Sequence, residues 1–183
     1  MASSLGAERP GLVLTAIGPD RPGLVNSLAA FVARRSGNIE DTRMAKLGGE
    51  FAVLMLVTGT TQALAELERD ERVISTELGV ACSFKRTQSV ALSSGARAYR
   101  LTLSATDRPG IVEGISQLLV ARQINVASLS SRVVHAPLTG TPLFELEADL
   151  ELPPNVNVAE FRRGLEEACE RENIDHTLAP LRA

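Results

Sequence analysis

The sequence predicts an α+β protein of two βαββαβ units, each a four-stranded antiparallel sheet with two helices on one face. Three observations carry this. The chain repeats itself, because Asp20-Arg21-Pro22-Gly23 returns as Asp107-Arg108-Pro109-Gly110, 87 residues later. The same offset pairs Leu14 with Leu101, Thr15 with Thr102, Val25 with Val112, Arg35 with Arg122 and Asn38 with Asn125, without a gap. Each copy also runs through the same order of strand-like and helix-like hydrophobic patterns. The length of 183 residues suits two small domains, placed at 10–88 and 97–180. The Ser-rich, uncharged segment from Gln88 to Ala96 reads as the linker.

The elements follow in order. Residues 11–18, GLVLTAIG, read as a strand. From Pro22 a helix places Leu24, Leu28, Phe31, Val32 and Arg35 on one face, and Gly37 reads as its C-terminal glycine. Residues 38–46 and 51–58 read as strands joined by the hairpin Leu47-Gly48-Gly49-Glu50. Leu64, Leu67, Ile74 and Leu78 mark a second helix, stopped by Gly79, and residues 80–87 a fourth strand. The second copy gives strand 98–105, helix 109–123, strands 125–134 and 143–152, helix 157–172 and strand 174–179. Each half is small for a lone hydrophobic core.

Composition bounds the function. Apolar residues make up 44% and charged residues 22%, with 19 basic against 22 acidic side chains, so a mainly disordered chain is excluded. No apolar run reaches the roughly 20 residues that span a bilayer, and MASSLGAERP lacks an apolar signal core. A cytoplasmic protein without membrane contact is expected. Two cysteines build neither a disulfide framework nor a four-sulfur zinc site. A net charge of −3 argues against direct nucleic-acid binding, and five Phe, one Tyr and no Trp argue against base stacking. No G-x-S-x-G, G-x-x-x-x-G-K or G-x-G-x-x-G occurs. His135 and His176 lack local metal or triad partners, and Cys82 alternates with Phe84 as a core residue would. Neither an enzyme nor a cofactor or metal is expected.

The repeated turn is the candidate site. Pro22 and Pro109 suit a helix start. Asp20 and Asp107 are placed to cap first-turn amides. Gly23 and Gly110 permit close approach of a ligand or backbone, and the exposed first-turn donors suit a carboxylate. Arg21 or Arg108 adds a charged fork. Asn38 and Asn125, opening the second strand of each copy, offer donor and acceptor groups for a zwitterion. From the residues alone, a well-capped tight turn and a small-ligand site both stand.

The duplicated DRPG-[LI]-V turn, the βαββαβ order and the strand-opening Asn resemble ACT domains, small-molecule-sensing modules of ferredoxin-like fold. The run from Gly37 to Ala45, the Leu47-Gly48-Gly49-Glu50-Phe51 turn, Pro142-Leu143-Phe144 and Leu152-Pro153-Pro154 are similar to a subgroup of stand-alone tandem-ACT transcriptional regulators. The resemblance implies a non-enzymatic sensor of a small amino acid, bound between the first turn and a neighbouring second strand. The positions implied are Asp20, Arg21, Pro22 and Gly23 with Asn26 and Asn38, and Asp107, Arg108, Pro109 and Gly110 with Asn125. Asn26 becomes Glu113 in the second copy, which would repel a carboxylate there. It further implies action through a protein partner, a transcriptional activator of glycine-cleavage genes. A ligand-free interaction or dimerisation module, and a detached regulatory subunit of an amino-acid or folate enzyme, are the alternatives.

The open sheet faces differ. In 143–152, Phe144, Leu146, Ala148, Leu150 and Leu152 alternate with Glu145, Glu147, Asp149 and Glu151, so one face is core and the other solvated and acidic. In the first copy Phe51–Val57 is apolar on both faces, as is the neighbouring strand with Val13 and Ile17 against Leu12 and Leu14. Such a strand is normally covered on both sides. A second chain, giving a homodimer through the first domain, is the expected cover.

Overall fold

The computed structural model describes residues 10–88 and 95–181. It divides into two compact units. The first contains β1 (Pro10–Pro19), α1 (Leu24–Arg34), β2 (Asn38–Leu47), β3 (Glu50–Thr58), α2 (Thr61–Arg69), α3 (Glu71–Leu78) and β4 (Ala81–Gln88). The second contains β5 (Arg97–Thr106), α4 (Ile111–Val120), β6 (Asn125–His135), β7 (Pro142–Leu152), α5 (Val158–Arg171) and β8 (Asp175–Pro180). Both sheets are antiparallel, ordered β2-β3-β1-β4 and β6-β7-β5-β8. This is the duplicated ferredoxin-like architecture that the repeat predicts. Most of the expected linker, residues 89–94, lies outside the described residues.

Period-two patterning builds each core. Leu12, Leu14 and Ala16 of β1 and Phe51, Val53, Met55 and Val57 of β3 are buried with Leu28, Phe31 and Val32 of α1. Leu101 and Leu103 of β5 and Leu146, Ala148, Leu150 and Leu152 of β7 pack with Ile115 and Leu119 of α4 and Phe161 and Leu165 of α5. The β2–β3 hairpin closes through Gly48 and Gly49 at φ 60° and 92°, the two positive angles of a type I′ turn. A β-bulge falls in β2 between Ile39 and Asp41 and in β6 between Val126 and Ser128. The residues they contain, Glu40 and Ala127, are again 87 apart.

Three local expectations need correction. Gly37 does not end α1 as a left-handed glycine; Ser36 takes that conformation, at φ 59°. Gly37 is needed for space, since a Cβ there would lie 2.8 Å from Val32 Cγ1 and 3.0 Å from Val57 Cγ1. In the second copy Gln123 takes the positive φ, 56°, and Ile124 fills the core instead. The second helix of the first copy is two helices, broken at Asp70, whose carboxylate is held by Arg35 Nε at 2.8 Å. That guanidinium lies over the Phe31 ring at 3.5 Å. Finally, α1 and α4 begin at Leu24 and Ile111, so Pro22 and Pro109 belong to the turn and not to the first helical position.

The open faces follow the predicted contrast. On the first sheet, register aligns Leu56 and Val13 between Asp41 and Lys85, Leu54 and Thr15 between Arg43 and Ser83, and Ala52 and Ile17 between Ala45 and Ala81. On the second, Arg100 forks onto Asp149 at 2.8 and 3.2 Å, Arg132 Nε meets Glu145 at 2.8 Å and Thr102 meets Thr177 at 2.6 Å. The Arg100 hydrogen bonds hold the Asp149 carboxyl below the usual range. No helix among the described residues is long and apolar enough to cross a membrane.

Candidate functional site

The Asp-Arg-Pro-Gly turn joins β1 to α1 in one unit and β5 to α4 in the other. Its geometry is set by the glycine. Gly23 and Gly110 are the N-cap residues, at φ 88° and 94°, a left-handed conformation that glycine adopts without steric cost. A Cβ at either position would meet nothing within 4 Å, so the space before both helices is open.

The aspartates are not the caps. Neither helix has a side-chain cap, because Asp20 and Asp107 lie three residues before the N-cap glycines. Asp20 instead holds Lys46 Nζ at 2.6 Å, and its N–H donates to the Gly49 carbonyl at 3.3 Å. The Asp107 N–H donates to Pro142 at 3.0 Å. The arginines turn inward to the domain's own last helix. Arg21 Nη2 donates to the Leu78 carbonyl at 2.7 Å. Arg108 Nη2 donates to the Glu172 carbonyl at 2.9 Å and to its carboxylate at 2.7 Å. Each therefore satisfies a helix C-terminal carbonyl, a structural task the sequence reading did not assign.

The first-turn amides remain. Among the described residues the N–H groups of Val25 and Asn26 have no acceptor, while the Ser27 N–H closes the first helical bond to Gly23 at 2.9 Å. No acidic side chain occupies the first turn of α1. Beside it, Asn26, Ser27, Phe31, Arg34 and Glu77 line a groove of about 220 Å³. Free amides at the positive end of a helix favour a carboxylate. The second copy differs, because Glu113 stands in the first turn of α4 and bonds Gln117 at 3.2 Å. Its larger groove, about 410 Å³, runs between α4 and α5 past Gly110, Gly114 and Arg171. A depression of about 540 Å³ lies on the polar open face of the second sheet, lined by Thr102, Ser130, Glu145 and Thr177 and by no residue of the turn.

The structure thus gathers Asp20, Arg21, Pro22, Gly23 and Asn26, but not Asn38. Asn38 pairs with Thr58 and Thr58 with Gly11, whereas Pro19 pairs with Glu50 and Glu50 with Leu47. Asn38 is therefore a strand's length from the turn, roughly 25 Å at 3.3 Å per residue. Asn125 is likewise distant from Asp107–Gly110, and its Nδ2 donates to Glu151 at 2.8 Å. The thiols carry no nucleophile. Burial pushes both Cys82 and Cys169 up to about 11, with Glu71 adding to the effect at Cys82. Among the described residues no cluster of His, Cys, Asp and Glu could hold a metal.

Duplicated βαββαβ units with a glycine-capped turn after each first strand define the class, a tandem of ACT-like domains, and residues 5–85 match the family model of the ACT domain. In particular the chain resembles the glycine cleavage system transcriptional repressor. It is 29% identical to that protein of Escherichia coli (strain K12) over 167 residues, 91% of this chain and 88% of the relative. A crystal structure assigned as a glycine cleavage system transcriptional repressor superposes with a TM-score of 0.70 at 25% identity, covering 95% of this chain and 98% of that one. An unknown protein from Galdieria sulphuraria superposes at 0.78 with 27% identity, over 96% and 100%.

Proposed function

We propose that this chain is a cytoplasmic regulatory protein that senses a small amino acid at the first-domain turn and signals to a protein partner. The observation that carries the reading is the pair of unpartnered amides, Val25 and Asn26, behind the open left-handed Gly23, with no acidic side chain in that helical turn. The ligand carboxylate docks on these amides. Asn38, a strand's length from the turn within its own domain, does not touch that carboxylate. Glu113 makes the second turn the weaker site. Similarity to a transcriptional repressor over nine-tenths of the chain supports a transcriptional output. Without a basic surplus that output passes through a protein, a transcriptional activator, and not through direct DNA contact. The protein works as a homodimer of two-domain chains, 10–88 and 97–180.

A thermal-shift panel of the common amino acids tests the sensing. A ligand that binds only the native state raises its melting temperature, by an amount that grows with concentration. One or a few small amino acids are expected to do so. A flat panel, backed by calorimetry without heat, overturns sensing of free amino acids.

A further inference from the structure

The two open sheet faces of this chain are chemically opposite, and only the first lacks an internal explanation. Helices cover one side of that sheet, yet Ile17 is 54% and Leu54 51% exposed on the other, with Val13 and Leu56 beside them. The second sheet fills the same positions with Arg100, Thr102, Glu145, Glu147 and Asp149, where Arg100 pairs with Asp149 and Glu147, Glu145 with Arg132 and Thr102 with Thr177, and presents no apolar counterpart. Four strands at about 4.8 Å and strands of about 30 Å make the first face roughly 19 by 30 Å. A footprint of that size lies at the low end of specific interfaces.

Resting on the dimer reading above, we infer that a second copy of this chain docks on this face, sheet against sheet, about a two-fold axis running along the strands. The face's own charges select the axis. Asp41 on β2, which also holds Arg43 of its own strand at 3.2 Å, and Lys85 on β4 end the same row, with Leu56 and Val13 between them. An axis along the strands lays β2 over the partner's β4, so Asp41 meets the partner's Lys85 and Lys85 meets the partner's Asp41. It also lays β3 over β1, closing Leu54 and Leu56 against Thr15 and Val13. Packed sheets stand about 10 Å apart, a gap that an aspartate and a lysine bridge together. An axis across the strands would set Arg43 against its own copy and leave both cross-pairs unmade. Sheets packed face to face keep their strands within about 30° of each other, which either pairing of rows tolerates.

Light scattering of the full chain and its variants decides this. The wild type is expected to be a dimer at micromolar concentration. Leu54→Asp and Ile17→Asp should each raise the dissociation constant at least ~100-fold and give monomers with an unchanged circular dichroism spectrum. Glu147→Lys, on the second sheet, should leave the dimer intact. Asp41→Lys and Lys85→Asp should each weaken it about tenfold, and their combination in one chain should restore it to within a few-fold. A monomeric wild type overturns the dimer reading together with this inference. A dimer that survives Leu54→Asp and Ile17→Asp leaves that reading standing and removes this face from it. Dissociation by both face variants without rescue by the charge swap overturns the axis along the strands.

Discussion

Arg21 Nη2 donates to the Leu78 carbonyl at 2.7 Å, which staples the β1–α1 turn to the last turn of α3. The second domain repeats the contact, from Arg108 to Glu172. Gly79 in the left-handed conformation and the Val80 N–H bonded to Ser75 finish the same helix end. The repeated arginine therefore has a folding task that holds the turn in place, whatever binds beside it.

Arg21→Ala should lower stability by about 1 kcal/mol, toward the low end for a bond from a charged donor because the contact is exposed. For a domain of this size that is roughly 4–8 °C in Tm. Arg108→Ala should behave alike. A thermal melt that does not move would show that water serves these carbonyls equally well.

Two glycines should respond oppositely. Gly37→Ala pushes a methyl group to 2.8 Å from Val32 Cγ1 and 3.0 Å from Val57 Cγ1, and overpacking of that kind costs about 1–3 kcal/mol. Gly114 lies inside α4 with nothing within 4 Å of a Cβ, so Gly114→Ala should stabilise by about 0.5–1 kcal/mol. Urea denaturation of both variants measures the contrast.

Asn26→Glu copies the second domain's Glu113 into the first turn. An acidic side chain at a helix N-terminus is favourable by about 0.3–1 kcal/mol, so the melting temperature should hold or rise. The same charge opposes a ligand carboxylate, and amino-acid affinity should fall at least tenfold. Calorimetry beside the melt separates the two effects; undiminished affinity would place the ligand elsewhere.

The thiols should be silent in the native state. With Cys82 and Cys169 raised to about 11, iodoacetamide at pH 8 should leave both unmodified until denaturant is added. Linkage sets the sign for alkaline stability. Above about pH 9 the unfolded thiols ionise while the folded ones remain protonated, so the unfolded state binds fewer protons and stability falls. The loss should run between about pH 9 and about pH 11, read as a falling urea midpoint.

The duplication, the order of elements along the chain and the open-face contrast were legible because each rests on period and offset, which the sequence displays directly. Leu12 against Val13 and Leu146 against Glu147 announce their faces by alternation alone. What stayed hidden depends on where side chains go in three dimensions. The Arg21–Leu78 and Arg35–Asp70 contacts join positions 57 and 35 residues apart, and no local pattern signals them. Gly37 looked like a helix terminator because a terminator and a packing glycine share one letter; the signal that distinguishes them was the Ile124 at its repeat position. At the turn, the glycine took the cap that Asp20 was expected to provide, because a left-handed residue moved the helix start beyond the reach of that side chain. The separation of Asn38 from Asp20 followed from strand register, available once β2 was placed at the sheet edge.

Glu40 and Ala127 each interrupt an edge strand at the same repeat position. A bulge is one residue more than pairing requires, and two independent insertions at one place are a poor explanation for a shared irregularity. The simpler history is that a single-domain ancestor already carried the extra residue and the gene was copied afterwards. The bulge then predates the doubling of the chain, while the differences between Gly37 and Ile124 and between Asn26 and Glu113 belong to the divergence that followed.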